Sequence, residues 1–137
     1  MFPPRDNRKG EVHVNLTEPM RRELLYLAAN CNNSGHVDEG CFRDRREMFD
    51  GDPMDLGLRY SRLEELGYVD TVMRLWDGDI GYARVTEEGR FAAREIIAQE
   101  LESARISSRV KKAAFKALEG GMVSVAAQSL ISFLGLL

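Results

Sequence analysis

Apolar side chains recur at helical spacing through residues 17–31, with Met20, Leu24, Leu27, Ala28 and Cys31 on one face. Thr17-Glu18-Pro19 ahead of them supplies an N-cap and a first turn suited to it. Asn32-Asn33-Ser34-Gly35 breaks the pattern. His36-Val37 is expected to be a short strand pairing with a later hairpin. Asp38 or Glu39 then opens a second helix around Cys41 to Phe49, with Phe42 and Phe49 in the core. Asp50-Gly51-Asp52-Pro53 turns the chain into a third helix. Asp52 is its cap, Pro53 occupies the first helical position where a missing N–H costs nothing, and Leu56, Tyr60 and Leu63 share one face. Gly67 ends this helix by supplying the left-handed residue that commonly follows a C-terminus.

The pattern then changes. Tyr68 to Trp76 is rich in β-branched and aromatic residues, Asp77-Gly78-Asp79 has turn chemistry, and Ile80 to Val85 returns as a second strand. Thr86 caps a fourth helix with Glu87 and Glu88 in its first turn, and its apolar residues Phe91, Ala92, Ile96, Ile97 and Leu101 carry it to about Ser103. Ser107 or Ser108 caps a helix over Arg109 to Leu118, apolar at Val110, Ala113, Ala114, Ala117 and Leu118, with Lys111, Lys112 and Lys116 elsewhere. Gly120-Gly121 ends it. From Met122 to Leu137 there is no charge, and Ser124, Gln128 and Ser132 form a narrow polar stripe.

The segments LEELGYVD and ARVTEEGR, separated by the turn, resemble the recognition helix, wing and following helix of winged-helix regulators of the MarR and PadR type, over roughly residues 15–100. The resemblance implies a mainly α fold with a small β-hairpin (α+β): a winged helix-turn-helix domain followed by C-terminal helices. Residues 1–14 are then a flexible arm, 15–102 the winged-helix domain, and 103–137 a helical dimerisation or packing segment. It also implies duplex DNA as partner and a homodimer presenting two reading heads to a palindrome.

On that frame, Arg59, Ser61 and Arg62 are the principal DNA-contact candidates, facing outward from the third helix with Asp55, Leu58 and Glu65. Arg43, Arg45 and Arg46 on the second helix and Arg74 on the first strand are candidates for phosphates; the alternative for the second-helix group is a solvated face paired with Glu39, Asp44 and Glu47. Charge opposes the DNA assignment. The 137 residues carry a net charge of −3, whereas DNA-binding domains usually hold a basic surplus. Asp55 and Glu65 would repel phosphates, Asp77 and Asp79 place two acids at the wing tip, and Leu58 suits a protein partner at least as well as a thymine methyl. Trp76 is expected to pack against the hairpin's partner helix rather than stand out as an exposed anchor.

The uncharged tail demands burial. Met122, Val125, Ala126, Leu130, Phe133, Leu134 and Leu137 are assigned to a dimer interface, with packing inside the chain as the alternative. A membrane span is rejected because these 16 residues fall short of the roughly 20 a bilayer needs. Cys31, His36 and Cys41 have the C-x4-H-x4-C spacing of a zinc knuckle, but its first cysteine would fall at Ala28, so no metal is expected. No cofactor motif or catalytic constellation stands out, and the chain is not expected to be an enzyme. MFPPRDNRKGEVHV has no apolar run of the secretory kind and two cysteines make no disulfide scaffold, so a cytoplasmic location is expected.

Two functions compete. The first is a dimeric winged-helix transcriptional regulator or DNA-associated protein. The alternative is a winged-helix protein–protein interaction adaptor of phage or mobile-element type, using Leu58, Trp76 and the acidic wing without binding DNA.

Overall fold

The computed structural model describes residues 16–134. Among them run helices α1 (Glu18–Asn30), α2 (Glu39–Met48) and α3 (Pro53–Glu65), strands β1 (Val69–Arg74) and β2 (Ile80–Val85), and helices α4 (Glu87–Ser103), α5 (Ser108–Glu119) and α6 (Val123–Leu134). The fold is mainly helical with one antiparallel hairpin, as the sequence pattern predicts.

Helix starts follow from their caps. The side chains of Thr17, Asp38, Asp52, Thr86 and Ser107 accept backbone N–H bonds from Met20, Gly40, Met54, Gly89 and Val110, satisfying donors that the first helical turn leaves orphaned. Gly67, at φ 83°, closes α3 with two hydrogen bonds: its own N–H donates to the Glu64 carbonyl and that of Tyr68 donates to the Leu63 carbonyl. The chain thereby reverses, and the hairpin runs back along α3.

The hairpin is less regular than alternation predicts. Val69 pairs with Val85 and Asp70 with Arg84, but the register shifts before Met73 meets Tyr82. Thr71, between them, has φ 54°, a left-handed conformation unusual for a β-branched residue and typical of a bulge. The first strand therefore stops at Arg74 and does not reach Trp76. His36-Val37 forms no strand of the hairpin. Val37 makes an isolated bridge with Cys31, and the hairpin is held instead by the Val85 N–H on the Gly35 carbonyl at 2.9 Å.

One core serves the whole described chain. Leu24, Leu27 and Ala28 of α1 lie at its centre with Leu56, Tyr60 and Leu63 of α3, Ile80, Ala83 and Val85 of β2, and Ile96, Ile97 and Leu101 of α4. α6 packs on α1, α5 and α4, burying Ala126, Ala127 and Leu130, and the Gln128 side chain donates to the Ala29 carbonyl at 2.9 Å. That bond caps a carbonyl which the end of α1 leaves without a helical partner. One side of the described part of the uncharged tail is thus covered within the chain.

Ala126 and Leu130 are consequently unavailable to a second subunit, contrary to their assignment to a dimer face. Met122 and Val125 remain about half exposed. The side chains of Phe133 and Leu134, together with Leu137 and the 1–14 arm, lie outside the described residues. Among the described residues no helix is long and apolar enough to cross a membrane.

Candidate interaction surface

The arginines of α2 and α3 do not form one face. Glu23, four residues before Leu27 on the apolar side of α1, is fully buried. Arg45 grips it with Nε and a terminal nitrogen at 2.8 and 2.6 Å, Arg59 reaches the same carboxylate at 2.6 Å, and the Tyr60 hydroxyl donates at 3.2 Å. Phe49 lies under both guanidinium groups, at 5.7 Å from Arg45 and 4.8 Å from Arg59, within cation–π reach. A carboxylate taken out of water demands this: two opposite charges and a hydroxyl offset its lost hydration. The Arg45 guanidinium is held above its ordinary range, first by its hydrogen bonds to Glu23.

Arg45 and Arg59 are therefore internal ligands of an acid and not outward contacts. This corrects the assignment of Arg45 to phosphates and of Arg59 to base reading. Arg46 is also engaged, donating to the Ile80 carbonyl at 3.0 Å and tying α2 to the start of β2. Arg74 donates to Ser61 Oγ at 3.0 Å and to the Gly78 carbonyl at 3.1 Å, so two candidates meet across the α3–hairpin seam. Only Arg43 and Arg62 of the seven candidates project freely, in exposed positions outside the ion pairs among the described residues. The second-helix alternative fares no better than the first: Arg45 pairs with Glu23 and with none of Glu39, Asp44 or Glu47.

The sequence missed Glu23, although its signal was present. An acid three residues after Met20 and four before Leu27 sits inside an apolar stripe, and such a residue requires a cation from another element.

Burial also governs the nearby phenols. Tyr26, whose hydroxyl donates to the Cys41 carbonyl at 2.7 Å, is pushed up to about 12, mainly by desolvation, and Tyr60 is pushed well above its ordinary value for the same reason. A phenol with a raised folded pKa stabilises the fold fully below its unfolded pKa of about 10, and that contribution disappears as pH rises through the folded value. Stability is expected to fall steeply from about pH 10 toward 12. Phenolate absorbance should lag behind that of free tyrosine until the chain unfolds; a full, ordinary tyrosine titration in the folded protein would refute the assignment.

On the outer side, α3 and the hairpin turn build a different surface. Gly57 packs so closely that a Cβ there would overlap the Gly78 carbonyl, and the Met54 side chain lies against Gly78. On α3 beside Gly57 in sequence, Met54 is 48% exposed and Leu58 46%, and just ahead of Gly78 in the hairpin Leu75 is 40% exposed and Trp76 98%. Trp76 thus projects into solvent and does not pack on a helix, reversing the sequence expectation. Its position follows from the early end of β1 at Arg74 and the turn closed by Gly78 N–H on the Leu75 carbonyl at 2.9 Å.

Asp52, Asp55, Glu65 and Asp77 are exposed around this apolar group. Asp79 is not part of the rim. It is buried, its carboxylate accepts the Ile80 N–H at 2.7 Å, and desolvation raises its pKa, so the turn presents one outward acid and not two. Over residues 38–65 nine acids stand against five arginines, two of which are bound to Glu23.

Elsewhere, Cys31 and Cys41 are free thiols, both raised in pKa chiefly by desolvation, and His36 Nδ1 lies 2.9 Å from the Tyr82 hydroxyl. Among the described residues no His, Cys, Asp and Glu side chains gather in a group of three or more suited to a metal. A cavity of about 500 Å³ opens between α4 and the start of α6, lined in part by Arg90, Arg94 and Met122. No protein-family model, curated protein or solved structure matches the chain.

Proposed function

We propose that residues 17–103 form a winged-helix-type protein-interaction module that docks a partner on the α3–turn surface. The observation that carries this is Trp76, the chain's one tryptophan, 98% exposed just before the turn that packs on α3, the helix bearing exposed Met54 and Leu58. Exposed tryptophan set in an apolar group is the composition of an interface hot spot, and its burial by a partner removes a large apolar area from water. The acidic rim selects the partner: a segment with an apolar anchor flanked by lysine or arginine. The cytoplasm is the proposed compartment. If the chain pairs with itself, Met122 and Val125 are, among the described residues, the exposed part of the assigned dimer face.

Selection from a displayed random-peptide library tests the proposal. Recovered peptides are expected to carry an apolar anchor with adjacent basic residues and to shift Trp76 fluorescence to the blue as the indole is covered. Recovery of none, or equal binding by the Leu58→Ser/Trp76→Ser protein, would sink it.

Duplex DNA is the second reading, and one observation favours it: Arg43 and Arg62 project freely, with Arg74 and Ser61 joined nearby. Salt-sensitive duplex binding that disappears in Arg62→Ala would put this reading in place of the first.

A further inference from the structure

Among the described residues, unpaired cations gather on α5 rather than on α2 or α3. Between Ala104 and Glu119 there are five cations and one acid, in a chain whose net charge is −3. α5 buries Ala114, Ala117 and Leu118 in the core, which turns Arg109, Lys112 and Lys116 outward at intervals of three and four residues along one face. Arg105, exposed in the connection before the helix, stands four residues ahead of Arg109. None of these four cations enters an ion pair among the described residues. The fifth, Lys111, is turned back onto the Glu102 carbonyl at 3.4 Å.

Arg109, Lys112 and Lys116 line a shallow depression together with Ala113, Phe115 and Glu119. At 1.5 Å rise per residue the three helical cations span about 10 Å, enough to follow a short run of a polyanion's backbone. Phe115, half-buried, contributes an aromatic ring to the same depression.

We infer that this face binds single-stranded nucleic acid, with Arg109, Lys112 and Lys116 tracking the phosphates and Phe115 receiving a base. Both halves of the arrangement are used by a single strand, whereas a duplex keeps its base faces stacked and would leave the ring idle. An anionic membrane is served less well: the bulky apolar side of the helix is already buried in the core and has nothing large to insert. The inference is independent of the α3–turn surface, since α5 shares none of its residues.

Fluorescence anisotropy of the full chain with a labelled mixed-sequence DNA 20-mer tests it. Binding is expected at low salt. Arg109→Gln/Lys112→Gln/Lys116→Gln should weaken it at least about tenfold and reduce the salt slope by about 2, since each single-strand phosphate contact contributes roughly 0.7. Phe115→Leu, which keeps an apolar filler, should weaken it about fivefold and leave the slope unchanged. Leu58→Ser/Trp76→Ser should bind as the parent does. Unchanged binding by the triple variant with its thermal unfolding intact overturns the inference. So does equal affinity for the matching duplex, or capture by phosphatidylserine vesicles with none by the strand. Arg109→Lys/Lys112→Arg/Lys116→Arg, which keeps every charge, should restore binding if the triple variant loses stability, and failure to do so counts equally against it.

Discussion

Replacing Glu23 with alanine is expected to lower stability by about 3–5 kcal/mol, the usual cost of leaving a buried charge without its partner. Arg45 loses both bonds of its bidentate grip, Arg59 loses its carboxylate, and the Tyr60 hydroxyl loses its acceptor, while α2 and α3 lose the group that draws them to α1. Against a total folding stability of roughly 5–15 kcal/mol this is a large share, and the melting temperature should drop on the order of 10–20 °C. The informative comparison is Glu23→Met/Arg45→Met/Arg59→Leu/Tyr60→Phe. Removing all the polar partners together leaves nothing unpaired, so most of the loss should be recovered. If Glu23→Ala melts within about 2 °C of the parent, or the fourfold variant is as unstable as the single one, the cluster does not hold the three helices as described.

The second large effect is expected at Gly57. A Cβ there would lie 1.9 Å from the Gly78 carbonyl oxygen, a backbone atom that cannot swing aside, so alanine must push the hairpin off α3. A cost of about 1–3 kcal/mol follows from overpacking of this kind. Because the hairpin moves as a unit, the Arg74–Ser61 and Arg74–Gly78 bonds should break and the amide resonances of residues 74–80 should shift together. Gly67→Ala is the contrast. It meets nothing within 4 Å but sits at φ 83°, so it should cost only the left-handed penalty of about 1 kcal/mol and leave the hairpin in place. Equal spectra for Gly57→Ala and the parent would refute the close approach.

Local signals made most of the architecture readable. Asp52-Pro53, Gly67, Asp77-Gly78 and Thr86 each carry a backbone preference that depends on immediate neighbours, and each falls at the boundary it predicts. The surface was harder, because direction depends on contacts far apart in the chain. Arg59 and Arg45 are outward by helical count, yet both bend to Glu23, 36 and 22 residues earlier. Trp76 carries the bulk of a core residue, and only the bulge at Thr71 and the early strand end leave it unpacked. Gly57 reads in sequence as a mere weakness in a helix. Its use becomes visible when the Gly78 carbonyl is set against it. The apolar tail demanded a cover, and the pattern could not say whether that cover was α1 or another subunit.

The cover of α1 by α6 also sets a timetable for synthesis. Gln128 is 99 residues beyond Ala29, so at 5–20 residues per second the ribosome delivers the partner of that carbonyl on the order of 5–20 s after α1 itself. The salt-bridged knot of Glu23 with Arg45 and Arg59 needs only the first half of the chain and can close during that wait. The Ala29 carbonyl, and the part of α1 that α6 covers, stay open until the last helix arrives. A nascent chain halted before Leu130 should therefore display a sticky half-built core, the form in which chaperones and proteases would meet it.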